Sequence, residues 1–288
     1  VYALKVRLLM ILERIDLYEY FNVQRGSANG GFLNVYARSA SAETGNIIRP
    51  AVLIMPGGGY EFVSDRENEP VALKFMNSGF ACFVLQYSVF ASYPVPLVEA
   101  QMAVSYIRAN YEKYSINPKA VCTVGFSAGG HLAGMLATIK DDDVAAGGVN
   151  VKAVMPDAVA LCYPVITMGK FTSEGARRVI TGGNTRLYEK LSVEERVDGN
   201  SAPAFIWHTG EDNGVPVENS LCLALKYREH GVPFSLHVFE KGPHGLSLAD
   251  DETCRFGEKD RCLYSVGKWF ELLIDWLNSR GFKTEIGV

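Results

Sequence analysis

The 288-residue sequence has little excess charge of either sign: 28 Lys and Arg against 32 Asp and Glu leave a formal net charge of −4. Basic residues cluster only in short pairs such as Arg177-Arg178. The basic patch that a phosphate-backbone partner calls for is missing, so nucleic acid is not an expected partner. No membrane partner is expected either, because the apolar run Leu8 to Leu12 stops at Glu13-Arg14 and is too short to span a bilayer. It also lacks a small-residue cleavage site and does not read as a signal peptide. None of the six cysteines has the C-x-x-C spacing of a zinc site, and no metal is expected. Cys82, Cys122 and Cys162 sit in apolar strand patterns and Cys222 in a helical one, where free Cys behaves as a small hydrophobe. Cys254 and Cys262 flank a polar loop and could pair if exported. Free thiols in a reducing, cytoplasmic compartment are the expectation. Internal repeats and low-complexity tracts are absent.

What is present is an ordinary globular composition, 48% apolar and 21% charged, long enough to bury a sizeable core. Leu17 to Val23 and Leu33 to Arg38 read as two β segments joined by a Gly-rich turn, an antiparallel start to a sheet. Strands and helices then alternate. Strands are expected at Ala51, Phe80, Ala120, Ala158, Ala204 and Phe234. Helices are expected from Glu69-Pro70 to Ser78, along the stripe Leu97 to Tyr111, from about Val217 to His230, and around Trp269 to Leu277. About eight strands, the later ones separated by helices, is the doubly wound pattern.

Four segments carry chemistry. Gly125-Phe126-Ser127-Ala128-Gly129 is a G-x-S-x-G sequence between an apolar strand and a helical pattern, the context of a nucleophile elbow. The glycines leave room for a serine on a strained turn, and the following helix aims its N-terminal dipole at a developing oxyanion. Pro56-Gly57-Gly58-Gly59-Tyr60 follows a strand and can present backbone N–H groups as an oxyanion-hole loop does. It has neither G-x-G-x-x-G nor P-loop spacing, so a phosphate cradle is the weaker alternative. Asp212 follows the Ala204 strand in a turn-forming Asp-Asn-Gly, and His244 follows the last strand between Gly and Pro residues. The chain order Ser127, Asp212, His244 is that of a Ser…Asp…His triad on a parallel sheet, each residue following a different strand. No organic cofactor is needed.

Other residues read differently. His131 is expected to pack behind the site, and His208 to brace the acid loop. Tyr60, Tyr87 and Tyr163 follow strand ends near the expected mouth, with core packing or substrate contact both open. The acidic runs Asp141 to Asp143 and Asp250 to Glu252 read as solvated loops. Segments 166–200 and 246–263 break the repeating unit and are candidate walls of the substrate pocket.

These residues carry a family resemblance. The chain is similar to the α/β-hydrolase superfamily and, within it, to the acetylxylan esterase-like (sugar-ester hydrolase) esterase/lipase group. The matching pieces are Pro56 to Tyr60, Arg66-Glu67-Asn68-Glu69-Pro70-Val71-Ala72, Tyr87-Ser88-Val89, Gly125 to His131, Tyr163-Pro164-Val165 and the Asp212 and His244 loops. The resemblance implies one α/β-hydrolase domain over residues 1–288, with a doubly wound, mostly parallel eight-stranded sheet, helices on both faces and a small cap at 166–200. It implies Ser127 as nucleophile, His244 as base and Asp212 as its orienter. Oxyanion donors are implied at the Ala128 amide and at Gly58 or Gly59; Tyr60, next in that loop, stands as a candidate substrate contact from its position alone. Many relatives read His-Gly-Gly-Gly where this chain has Pro56, so the hydrogen bond with which that histidine braces the loop is lost.

The expected activity is hydrolysis of short-chain, acetyl-type esters of carbohydrates or other small alcohols, with the small-molecule ester as the ligand and homo-oligomerisation left open. A prolyl-oligopeptidase-like peptidase would use the same triad but carries an extra domain for which 288 residues leave no room. A lipase would want an apolar lid, and Ile166 to Asn200 is too polar for one. A non-catalytic protein on the same fold would show a damaged triad.

Overall fold

The computed structural model describes residues 10–41, 43, 45–255, 257–258 and 262–286. The first strand β1 (Met10–Asp16) leads into a one-turn helix, α1 (Leu17–Tyr20), and the chain returns as β2 (Phe32–Arg38). Next come β3 (Ile47–Met55), α2 (Glu69–Asn77), β4 (Ala81–Gln86), α3 (Val95–Ala109), the short α4 (Tyr111–Tyr114) and β5 (Ile116–Phe126). They are followed by α5 (Ala128–Ala137), β6 (Ala158–Cys162), α6 (Glu174–Thr181), α7 (Tyr188–Leu191), β7 (Ala204–Thr209) and α8 (Glu218–Glu229). The chain closes with β8 (Phe234–Phe239), α9 (Tyr264–Gly267), α10 (Trp269–Ser279) and β9 (Glu285–Ile286).

Strand side chains alternate between faces, so a strand apolar at both parities must be covered on both sides. In β3, Ala51, Leu53 and Met55 enter one core with Leu97 and Val104 of α3 and Leu132 and Leu136 of α5. Val52 and Ile54 enter the other with Phe75 of α2 and Trp269, Leu273 and Leu277 of α10. Helices therefore layer both faces. The eight main strands run in the order β1-β2-β4-β3-β5-β6-β7-β8, and β9 pairs with the start of β3. The β1–β2 and β2–β4 pairs are antiparallel, and every pair from β4–β3 onward to β8 is parallel. This is the α/β-hydrolase architecture expected from the sequence.

From β3 the chain steps outward to β4 and then crosses back to β5 on the other side of β3. Such a reversal opens a crevice at the carboxyl ends of the strands, where ligands of open α/β sheets bind. The register pairs Met55 with Gly125, which brings the glycine-rich loop after β3 beside Ser127.

Two expectations are corrected. The first strand is Met10–Asp16, and Leu17–Val23 is no strand. Asp16 caps a helical turn instead, its Oδ1 accepting the Tyr18 and Glu19 amides at 3.0 and 3.2 Å. Leu17 and Tyr18 are both buried, which a strand with one solvated face does not allow. Leu8 and Leu9 lie outside the described residues. The second correction concerns Cys254 and Cys262, expected as free thiols. Their Cα atoms are 5.9 Å apart, and they form a disulfide. The other four cysteines are free. Among the described residues no helix is long and apolar enough to cross a membrane.

Candidate active site

Ser127 occupies the turn between β5 and α5 at φ 53 and ψ −117, a conformation costly for a residue with a Cβ. The surroundings hold it there. Its N–H donates to the Cys162 carbonyl at 3.0 Å, and its carbonyl accepts the Val165 and His131 amides at 3.0 and 3.1 Å. The glycines either side are required by close approach: a Cβ on Gly125 would lie 2.2 Å from the Gly129 carbonyl oxygen, and one on Gly129 only 2.0 Å from that of Met55. As the first residue of α5, Ala128 has an N–H with no acceptor inside the helix.

The three residues singled out from chain order meet here. Ser127 Oγ lies 2.7 Å from His244 Nε2, and His244 Nδ1 lies 2.6 Å from Asp212 Oδ2. The other oxygen of Asp212 accepts the Gly214 and Val215 amides at 2.9 and 2.8 Å. Burial of Asp212 opposes its ionisation, but the bonds to His208, His244 and Val215 outweigh that and hold its carboxyl well below the usual range. Glu211 instead turns its carboxylate to the Gly242 amide at 3.2 Å. The His244 ring packs edge-on to Tyr163, with centroids 5.2 Å apart.

His208 lies behind the acid, Nε2 at 2.9 Å from the Val215 carbonyl and 3.3 Å from Asp212 Oδ2, Nδ1 at 2.7 Å from Ser220 Oγ. It fixes the loop that carries Asp212. His131 packs under the elbow between the Tyr60 hydroxyl and the Leu191 carbonyl, at 2.8 and 2.7 Å.

The glycine-rich loop is oriented by its carbonyls. That of Gly57 accepts the Ser64 N–H at 3.0 Å, and that of Gly58 accepts the N–H groups of Glu61 and Phe62 at 2.9 and 3.2 Å. In a trans peptide the C=O and the following N–H point opposite ways. The N–H groups of Gly58 and Gly59 therefore point away from the 61–64 turn. Both residues line the same cleft as Ser127 and His244.

The tyrosines do not face that cleft. Tyr60, Tyr87 and Tyr163 are 0%, 2% and 1% exposed, so the substrate contact considered for them, Tyr60 included, is corrected to bracing. Tyr87 donates its hydroxyl to the Pro56 carbonyl at 2.7 Å. With the Gly57 N–H bound at 2.7 Å by Glu67 Oε2, it supplies the hold on the loop that a histidine in place of Pro56 would give. Glu67 was not singled out from the sequence. It falls within the Arg66 to Ala72 stretch of the resemblance, but nothing in the sequence marks it as buried.

The cleft has a volume of about 560 Å³. One wall is Phe62, which is 59% exposed. The rim is polar: Asp65, Ser173 from segment 166–200, and Arg255 from segment 246–263. A larger hollow of about 650 Å³ near Thr138 and Lys140 is lined by neither Ser127 nor any histidine.

Known proteins can be set against this geometry. A family model described as BD-FAE matches residues 33–227. Endo-1,4-beta-xylanase B of Butyrivibrio fibrisolvens is 40% identical over 218 residues, 72% of this chain and 34% of that protein. An acetylxylan esterase of Xylanibacter ruminicola is 27% identical over 230 residues, 77% of this chain and 45% of its own length. The chain spans a third to a half of the length of these relatives. Among solved structures, an acetyl ester-xyloside bifunctional hydrolase from Caldicellulosiruptor lactoaceticus matches with a TM-score of 0.80 at 33% identity, over 96% of this chain and 98% of that one. A family match across more than half of the sequence, on a fold shared along nearly its whole length, makes this chain a member of the BD-FAE family, an α/β-hydrolase.

Proposed function

We propose that the chain is a serine carboxylic-ester hydrolase that removes short acyl groups, acetyl foremost, from carbohydrate or other small esters through an acyl-enzyme. The observation that carries this reading is the unbroken series Asp212, His244, Ser127, with contacts of 2.6 and 2.7 Å at the floor of an open cleft.

In this reading His244 Nε2 takes the Ser127 proton as Oγ attacks the ester carbonyl carbon. The carbonyl electron pair moves to oxygen, where the amides of Ala128 and of Gly58 or Gly59 hold the oxyanion, each donor worth ~3 kcal/mol of barrier. Collapse expels the alcohol, which takes the proton from His244. Water then attacks the acyl-enzyme, His244 again accepting the proton, and the carboxylic acid leaves with Ser127 restored. Ionised Asp212 keeps the imidazole in the Nδ1–H tautomer and stabilises the imidazolium.

A polar rim around a single exposed aromatic face suits a small hydroxylated alcohol better than an acyl chain. Each CH₂ of a long acyl group needs apolar cover to contribute its ~0.8 kcal/mol, and apolar side chains in the cleft are few: Phe62, Val63 and Val215. Relatives named for acetylxylan, xylan and acetyl ester-xyloside hydrolysis support an acetylated xylose-based alcohol.

The test is a fluorophosphonate probe together with p-nitrophenyl acetate turnover, on wild type and Ser127→Ala. One label per chain at Ser127, with both labelling and turnover lost in the variant, is expected. Label elsewhere, or turnover within tenfold in Ser127→Ala, overturns the reading.

A further inference from the structure

Two consecutive residues of the short 3-10 turn Asp65–Glu67 hold opposite halves of the site. Glu67 is only 3% exposed, and its side chain reaches inward. Its Oε2 accepts the Gly57 N–H and its Oε1 accepts the Tyr163 hydroxyl, each at 2.7 Å. The Tyr163 hydroxyl oxygen in turn accepts the Ser247 N–H at 2.8 Å, three residues beyond His244. Arg66 grips that same segment directly: Nη2 donates to the Gly245 carbonyl and Nη1 to the Thr253 carbonyl, each at 3.0 Å. The Arg66 carbonyl accepts the Ser247 hydroxyl at 2.7 Å.

We propose that Arg66 and Glu67 form a positioning clamp that sets the oxyanion-hole amides relative to the His244 imidazole. The inference rests on the reading of Ser127 as nucleophile. Its physical ground is the choice of residue. A buried carboxylate bound only to a peptide N–H and a phenol is an expensive way to gain stability, because apolar groups of the same shape serve as well or better. A carboxylate is, however, a strong acceptor with two oxygens at fixed spacing, and its hydrogen bonds are short and stiff. That stiffness fixes the Gly57 peptide, which sets the planes carrying the Gly58 and Gly59 N–H groups. Tyr163 passes the constraint to Ser247 while its ring packs on His244. Neither clamp residue is assigned contact with the reacting atoms; each acts through the loop it holds.

A positioning role makes the clamp matter more in the transition state than in the ground state, where the ester carbonyl draws weakly on the oxyanion hole. The experiment compares wild type, Glu67→Ala, Glu67→Gln and Tyr163→Phe. It measures kcat and KM on p-nitrophenyl acetate and inhibition by an aryl trifluoromethyl ketone, whose serine adduct places an oxyanion in the hole. Glu67→Ala is expected to lose about 100-fold in kcat, the scale of one displaced oxyanion donor, with KM within about threefold. Inhibitor affinity should fall by about the same factor as kcat/KM. Glu67→Gln, which keeps one acceptor oxygen for Gly57, should stay within about tenfold of wild type. A folded Glu67→Ala with near-wild-type kcat overturns the clamp, as does a loss confined to KM with inhibition unchanged. Should Glu67→Ala fail to fold, the near-isosteric Tyr163→Phe decides, with roughly tenfold lower kcat expected and an unchanged kcat overturning. Wild type unlabelled by fluorophosphonate at Ser127 sinks the catalytic reading and the clamp with it. Wild type labelled, with Glu67→Ala undiminished, sinks the clamp alone.

Discussion

Asp212 gives one oxygen to His244 Nδ1 at 2.6 Å and the other to two backbone amides, so the carboxylate is fixed in orientation before any substrate arrives. Asp212→Asn keeps the shape but turns a donor toward Nδ1, which favours the wrong imidazole tautomer. We expect kcat on p-nitrophenyl acetate to drop by roughly 10⁴ with the fold intact by circular dichroism. A loss below tenfold would remove Asp212 from the assigned role. Because its carboxyl is held well below the ordinary range, the stability it contributes is fully present above the unfolded carboxylate pKa of about 4 and fades only as pH falls below that.

Gly58 and Gly59 both have positive φ, 130° and 64°, but they differ in what surrounds them. A Cβ on Gly58 would lie 2.0 Å from the Phe62 carbonyl oxygen, whereas one on Gly59 meets nothing within 4 Å. Gly58→Ala must therefore push the 61–64 turn away and swing its own amide, with an expected loss of about 100-fold or more in kcat. Gly59→Ala pays only left-handed strain of about 1 kcal/mol and should retain activity within tenfold. Equal losses in the two variants would show that the loop is not oriented by its carbonyls.

The parts legible in the sequence are those governed by local rules. Ser127 stands on a strand-turn-helix with glycines at fixed offsets, and Asp212 and His244 follow strands in the Ser…Asp…His order of α/β-hydrolases. The alternation of buried strands with amphipathic helices supplied the sheet. What the sequence did not disclose depends on tertiary placement. Glu67 resembles any charged residue ahead of a helix until the β3 loop folds over it. The tyrosines follow strand ends, but a strand end can send its side chain under the loop as readily as toward solvent. Leu17 to Val23 is rich in β-formers, yet one carboxylate at Asp16 diverts it into a helical turn. The pairing of Cys254 with Cys262 rests on a close approach of their Cα atoms that no periodicity marks.

His131 gives a test of the buried support under the elbow. Burial holds its pKa down to about 4, below the unfolded value of about 6.5. Between those values the unfolded chain binds more protons, so stability is full above pH 6.5 and is lost as pH falls toward 4. The loss is on the order of 3 kcal/mol, from 1.36 kcal/mol per pKa unit. Thermal unfolding should show Tm falling across that window in wild type. His131→Gln, less stable at pH 7, should show a flatter profile. An unchanged slope in the variant would assign the acid lability to other groups.

Substrate preference follows from the make-up of the cleft. With Phe62 its one large exposed apolar face and Asp65, Ser173 and Arg255 at the rim, kcat/KM should be highest for acetyl and propionyl esters and should fall by hexanoyl. Acetate should be released from acetylated xylose or xylo-oligosaccharides. If the sugar ring lies on Phe62, Phe62→Ala should raise KM for an acetylated xylo-oligosaccharide about tenfold, equivalent to ~1.4 kcal/mol. KM for the aliphatic ester triacetin should change little, because a small flexible alcohol gains less from a flat face. A wild-type preference for octanoyl or longer esters would overturn the short-acyl assignment. Equal KM changes for the sugar ester and triacetin would remove the sugar from Phe62. Activity on simple acetates with none on any acetylated sugar would leave a general carboxylesterase, the coarser reading that the Ser127–His244–Asp212 geometry supports by itself.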